Sequence, residues 1–289
     1  MSYGLHLIVM ICIYLVLIYG MNLITGFGGL MSMGHAAFYG IGAYTYALLA
    51  MHMGWGFSSC CLTAIVFAGL IGWILSKASL RFRGETFVLT TLGFQMIVFS
   101  VLDNWKSVTK GSYGLSEIPR PSFGPLQIVT VDQFVLFAFL VAGIVTYFIH
   151  TLGKSPFGLS LKAVRDNEKA AETLRISPQK QLTRAFVISA ALAGFAGCLF
   201  ASYVTYIDPS SFSLSESMFI MCILFVGGSG NLIGPLLGVI FMILFPEGLR
   251  FLGFPDEVAA NIREIVYAVV LIVLMYYRPC GLKGSYTVK

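Results

Sequence analysis

Charge is scarce in this chain. Only 11% of its 289 residues are Asp, Glu, Lys or Arg, against 57% that are hydrophobic, too few charges to clothe a soluble domain of that length. Nucleotide-phosphate binding of the P-loop kind is missing, because no GxxxxGK[ST] occurs. HExxH is absent too, and the six cysteines (Cys12, Cys60, Cys61, Cys198, Cys222 and Cys280) have no CxxC spacing. They read as small packing residues rather than metal ligands. The N-terminal stretch lacks a basic n-region and a convincing cleavage site, so it reads as a retained span rather than a signal peptide.

What is present is apolar sequence in long runs, with a mean hydropathy of +0.86. A helix needs about 20 apolar residues to cross the hydrocarbon layer. Nine segments approach that length: 5–24, 35–52, 57–77, 86–103, 131–151, 184–206, 214–229, 232–249 and 263–278. The expectation is an all-α, polytopic integral membrane protein with about nine transmembrane helices. It forms a single transmembrane domain over 1–289, because no stretch between the runs is long enough for a separate soluble domain.

The net charge of +5 is better explained by cytoplasmic Lys and Arg than by nucleic acid. Lys77, Arg81, Arg83, the seven basic residues from Lys154 to Arg184, Arg278, Lys283 and Lys289 fall on one side of an alternating nine-span topology. Only Lys106, Lys110, Arg120, Arg250 and Arg263 fall on the other. The bias predicts an outside N-terminus and a cytoplasmic C-terminus. The proline-bearing loop at about 103–131 is then external, and the loop at about 154–184 is cytoplasmic.

That cytoplasmic loop is the one long charged stretch. Ala163, Val164, Asn167, Ala170, Ala171 and Leu174 keep helical spacing, while Lys162, Arg165, Asp166, Lys169 and Glu172 fall mostly on the other side. An amphipathic helix follows, with Pro178 expected to stop it. Lying on the interface is the plainer reading of such a helix, and docking a partner is the sharper one.

Two apolar regions are interrupted. Residues 25–42 hold six glycines with Thr25, Ser32 and His35, and residues 227–238 hold five glycines with Asn231 and Pro235. Irregular backbone at membrane depth survives only where protein or a water-filled cavity satisfies it, and paired interruptions point to a substrate pathway. The pathway candidates are Asn22, Thr25, Ser32, His35, Gly40, Gly42 and Gln95. Helix packing is the alternative, and it is favoured for the Gly230, Gly234 and Gly238 ladder. Thr90, Thr91, Ser189 and Glu216 are further intramembrane polar residues, with Glu216 expected near the outer end of its span. Residues 227–230 spell GxSG, the serine segment of rhomboid-type intramembrane proteases. All four histidines precede Ser229, the wrong chain order for that mechanism. Mid-membrane Asp, Glu or Arg pairs of the kind proton-coupled carriers use are not seen, so no energy source for transport is evident within the chain.

In order along the chain stand NLITGFGGLMSMGHAAFYGIGAY (22–44), RGETFVLTTLGF (83–94), SPFGLSLKAVRDNEKAAETLRI (155–176), FVISAALAGFAGCLFASYV (186–204), GGSGNLIGPLLG (227–238) and RPCGL (278–282). This series resembles the LivM-type permease of branched-chain (hydrophobic) amino acid ABC importers. RPCGL departs from the commoner Gln before that Gly. The resemblance implies a non-catalytic transport subunit in a bacterial plasma (inner) membrane. It implies a second permease chain, two ATP-binding subunits that carry ATP and Mg, and a soluble binding protein that delivers ligand, with no cofactor on this chain. The loop helix becomes a coupling helix, with Arg165, Asp166, Asn167, Glu168, Ala170, Ala171 and Leu174 set against the ATPase. Urea or short-amide permeases share much of the pattern, and a self-contained secondary carrier or channel is the other alternative.

Overall fold

A computed structural model of the chain describes residues 2–82, 84–123, 126–128, 130–250 and 281–284, together with Val269 and Ile272. The expected span at 263–278 therefore lies outside the described residues, those two positions excepted. Helices occur at the other eight expected positions. They are α1 (Ser2–Asn22), α2 (His35–Met53), α3 (Phe57–Ser79), α4 (Glu85–Asn104) and, after a short α5 (Lys106–Thr109), α6 (Val131–Lys154). The loop helices α7 (Pro156–Asp166) and α8 (Glu168–Thr173) follow, then α9 (Pro178–Val204), α10 (Leu214–Gly227) and α11 (Ile233–Arg250). Five of them, α1 with its extension to Phe27, α3, α4, α6 and α9, are long and apolar enough to cross a membrane. The helix α2 and the shorter α10 and α11 complete the bundle around the two interruptions.

The central helix is α9, which packs on α1, α2 and α3. Small residues make that possible. A Cβ on Gly42 would run into the backbone of Gly194, one on Gly197 would lie 2.7 Å from Ala43 N, and one on Gly72 would lie 2.6 Å from Ala190 Cβ. Backbones in such contact maximise dispersion where no hydrophobic driving force separates protein from lipid. The outer helices show the opposite pattern. Leu62, Val66 and Leu70 on α3, and Leu136, Phe139 and Ile144 on α6, are all exposed, as lipid-facing positions should be.

Far from the loop helices, strand β1 (Leu115–Ser116) pairs antiparallel with β4 (Tyr206–Ile207), Leu115 opposite Ile207. Strands β2 (Ser122–Phe123) and β3 (Leu126–Gln127) form a small hairpin. Tyr46 Oη donates to Pro119 O at 2.9 Å, and Ile118 N donates to Thr205 O at 3.1 Å. Ile118 and Pro119 of the loop are thereby fastened to the C-terminal end of α9 and to α2.

Two expectations about the charged loop need correction. Its amphipathic stretch is two helices rather than one, because Asn167 leaves helical geometry (φ −156°, ψ 105°) and caps α8 by accepting from Ala170 N at 3.1 Å. Nor does Pro178 merely stop a helix. It opens α9 at its first turn, six residues before the predicted start of that span, where proline loses no hydrogen bond and its fixed φ already suits the helix.

A candidate coupling junction and buried polar seam

Where α1 ends, its helix widens into a π turn over Leu23–Phe27 and then unwinds. Thr25 Oγ1 donates to Leu30 O at 3.0 Å and Leu30 N donates to Ile24 O at 3.2 Å, closing the frayed end. The chain stays irregular until α2 begins at His35. The second interruption follows α10, where Gly228 (φ 98°) and Gly230 (φ 88°) adopt left-handed backbone that other residues resist. Gly227 and Gly238 then bring α10 and α11 together, each lacking a Cβ that would sit 2.9 Å from the other's Cα.

These two interruptions meet. Asn22, fully buried, accepts from Gly230 N at 3.0 Å and donates to Asn231 O at 2.7 Å. One side-chain amide thus satisfies a donor and an acceptor that the turn leaves over. The described tail joins the same place: Leu282 N donates to Val226 O at 2.9 Å and Lys283 N to Gly227 O at 3.1 Å.

The loop helix α7 docks on this junction. Arg165 Nη1 donates to Gly26 O at 2.8 Å, reaching a carbonyl on the π turn of the first span. Its stem lies over Gly29 (φ 73°), where an added Cβ would come within 2.7 Å of Arg165 Cγ. Lys162 Nζ lies 4.8 Å from the centre of the Phe27 ring and donates to Gly153 O at 3.4 Å. The Arg165 side chain is only 11% exposed, whereas its ion-pair partner Asp166, at 2.9 Å, is 61% exposed. Among the residues expected to face a partner, Arg165 and the buried Ala171 are therefore turned into this chain. Asp166, Asn167, Ala170 and Leu174 are exposed, and Glu168 is half-buried.

Above the junction runs a seam of buried polar groups. Gln95 Nε2 donates to Phe212 O at 2.7 Å, Ser217 Oγ donates to Gln95 Oε1 at 3.2 Å, and Ala36 N donates to Ser217 Oγ at 3.2 Å. Met33 N donates to Thr91 Oγ1 at 3.1 Å, and Gly34 N to Ser32 Oγ at 3.3 Å. Ser189 Oγ donates its one hydrogen to Gly20 O at 2.6 Å, so His35 Nε2, 2.8 Å away, must donate to it. A histidine that donates to a serine cannot serve as its base. His35 Nδ1 and, one turn along α2, Tyr39 Oη are buried with no hydrogen-bond partner among the described residues, an arrangement that costs free energy unless something else meets them.

Asn22, Thr25, Ser32, His35 and Gln95 are thus all buried on the interrupted segments or against them. Gly40 and Gly42 sit in close packing, against Phe212 and Gly194 respectively. Glu216 accepts from Tyr14 Oη at 2.7 Å. Ser217 and Tyr39 escaped notice in the sequence, since a lone serine or tyrosine in an apolar run carries no signal of its own. Asp208, in the loop before α10, is drawn up by burial, but hydrogen bonds from Ser210 and Ser211 outweigh that and hold its carboxyl below the usual value.

The family profile described as branched-chain amino acid transport system / permease component matches residues 4–275. The high-affinity branched-chain amino acid transport system permease protein LivM of Escherichia coli is 33% identical, covering 93% of this chain and 67% of its own length. A probable branched-chain amino acid transport permease protein LivM of Methanocaldococcus jannaschii is 24% identical over 76% of this chain and 67% of its own. LivH of E. coli is also 24% identical, covering 94% of this chain and 91% of its own. No solved structure matches.

Proposed function

Because the chain belongs to the branched-chain amino acid transport permease family, as a LivM-type member, we propose that it forms half of the membrane pathway of an ATP-driven importer of branched-chain amino acids. A second, related permease chain supplies the other half, two separate ATP-binding subunits bind Mg and hydrolyse ATP, and a soluble binding protein delivers the amino acid. This chain carries no cofactor and performs no chemistry. It spans a bacterial inner membrane as one domain over 1–289, crossing about nine times. Its N-terminus lies outside, and α7 and α8 lie in the cytoplasm.

The observation that carries this reading is the contact between Arg165 and Gly26. It links a charged loop, with Asp166, Asn167, Ala170 and Leu174 exposed for docking, to the unwound end of α1 and through Asn22 to the second interruption. Glu168 and Leu174 engage the ATPase, while Arg165 and Ala171 transmit its movement inward. When the ATP-binding subunits close they favour one position of α7–α8, and the junction shifts with it. That is coupling in the thermodynamic sense, since the ATPase states bind the loop differently.

The amino acid passes beside the interrupted segments, where Asn22, Thr25, Ser32, His35 and Gln95 hold the backbone and Gly40 and Gly42 leave room for α2 to approach its neighbours. His35 Nδ1 and the Tyr39 hydroxyl supply polar contacts to the zwitterion, and the remaining wall is apolar. A direct test places a cysteine at Leu174, 71% exposed, in the assembled complex. Oxidative crosslinking should join it to an ATP-binding subunit with a yield that changes on nucleotide binding. Absence of a crosslink with and without nucleotide would count against the docking role.

A further inference from the structure

Beside α7, the first turns of α9 and the last turns of α3 leave a cleft of about 680 Å³. Its floor is apolar, formed by Phe157, Val187 and Ile188, and its rim is basic, formed by Lys77, Lys180 and Arg184. A second hollow of about 500 Å³ lies along α3 and adds Arg81 to the basic rim. Trp73 and Lys77 border both hollows, with Lys77 Nζ 3.6 Å from the centre of the Trp73 ring. That cation–π contact keeps the ammonium at the point where the two meet. Among the described residues no carboxylate lines either hollow. The opening turn of α9 adds to the positive potential, since Ser177 makes no side-chain cap bond there.

Two apolar troughs meeting at one indole and Lys77, with Lys180 and Arg184 on one and Arg81 on the other, match the shape and charge of a two-chain lipid with an anionic headgroup. We propose that the paired cleft binds one anionic phospholipid, with its phosphate among Lys77, Lys180 and Arg184 and its acyl chains on either side of Trp73. The inference rests on the reading of the chain as a membrane permease whose α7 faces the cytoplasm, which puts this lipid in the cytoplasmic leaflet. There it would brace the start of α9 against α7, next to the coupling junction.

The test uses Trp73 as its own reporter. The chain has three tryptophans, so Trp55→Phe with Trp105→Phe leaves Trp73 alone in the full-length chain. Quenching of its fluorescence is followed in detergent micelles titrated with phosphatidylglycerol or phosphatidylcholine, each brominated in the acyl chains. Phosphatidylglycerol should quench at a mole fraction at least about tenfold lower. Lys77→Gln, Lys180→Gln and Arg184→Gln should each weaken it about fivefold, the worth of one basic residue at an anionic surface. Quenching by phosphatidylcholine should stay unchanged in these variants, which checks that they fold. Equal quenching by the two lipids, or a phosphatidylglycerol preference that survives the triple variant, overturns the proposal. Displacement of the lipid by millimolar inorganic phosphate also overturns it, as does loss of quenching in both lipids once the second permease chain is added. Micelles have no sidedness, so a wrong orientation or a wrong transport assignment would leave this result untouched.

Discussion

Replacing Arg165 with Met is the sharpest perturbation of the proposed coupling junction. Methionine keeps most of the stem that covers Gly29 and removes the charged head. The loss includes a charge-assisted hydrogen bond to Gly26 O at 2.8 Å from a side chain only 11% exposed. Bonds of this kind contribute about 1.5–3 kcal/mol. The pair with Asp166 adds little, because a carboxylate 61% exposed is well screened by water. A loss of about 2 kcal/mol corresponds to roughly a 30-fold shift between docked and undocked α7. In proteoliposomes holding the whole transporter, leucine moved per ATP hydrolysed should fall at least about tenfold, while ATP hydrolysis itself persists. An unchanged leucine-to-ATP ratio in Arg165→Met would refute the idea that movement is transmitted through this contact.

Asn22→Ala should lower thermal stability in detergent by about 1–3 kcal/mol, since the buried Gly230 N–H and the part-buried Asn231 carbonyl of the second interruption lose their partner; a melting temperature equal to wild type would contradict the junction. Ser189→Ala strands the His35 Nε2–H in the core and should cost about 1–3 kcal/mol by the same measurement. Gly42→Leu forces a side chain into the Gly194 backbone, and monodisperse protein should vanish on size-exclusion chromatography. Leu174→Asp, on an exposed position, should leave the fold and melting temperature alone yet abolish co-purification of the ATP-binding subunits.

The helical spans were legible because long apolar runs have few other solutions, and α2 starts at His35 as the segment 35–52 predicts; the break expected over 25–42 is shorter, since it ends before His35 and leaves Gly40 and Gly42 inside regular helix. Packing in 227–238 agrees with the tight α10–α11 hairpin, but the contacts run between Gly227, Gly234 and Gly238, while Gly230 sits in the turn rather than on a helical ladder. Less could be read of how the pieces meet. Periodicity places Arg165 on the charged side of a loop helix, and nothing in it says that the binding partner is a carbonyl of the same chain, 139 residues away. The split at Asn167 was hidden for a similar reason: a single capping residue ends a helix without disturbing the apolar spacing across it. Asn22 looked like one more intramembrane amide, and only the three-dimensional junction shows it joining two interruptions 208 residues apart.

Leucine uptake by the purified transporter tests the central claim most directly. The chain is isolated gently with every subunit that accompanies it, reconstituted in liposomes, and supplied with labelled leucine, its binding protein, and ATP on the ATPase side. Accumulation of leucine above equilibrium that requires both ATP and the binding protein, with a second permease chain and ATP-binding subunits in the preparation, is the predicted result. A chain that purifies alone and equilibrates leucine without ATP would contradict it.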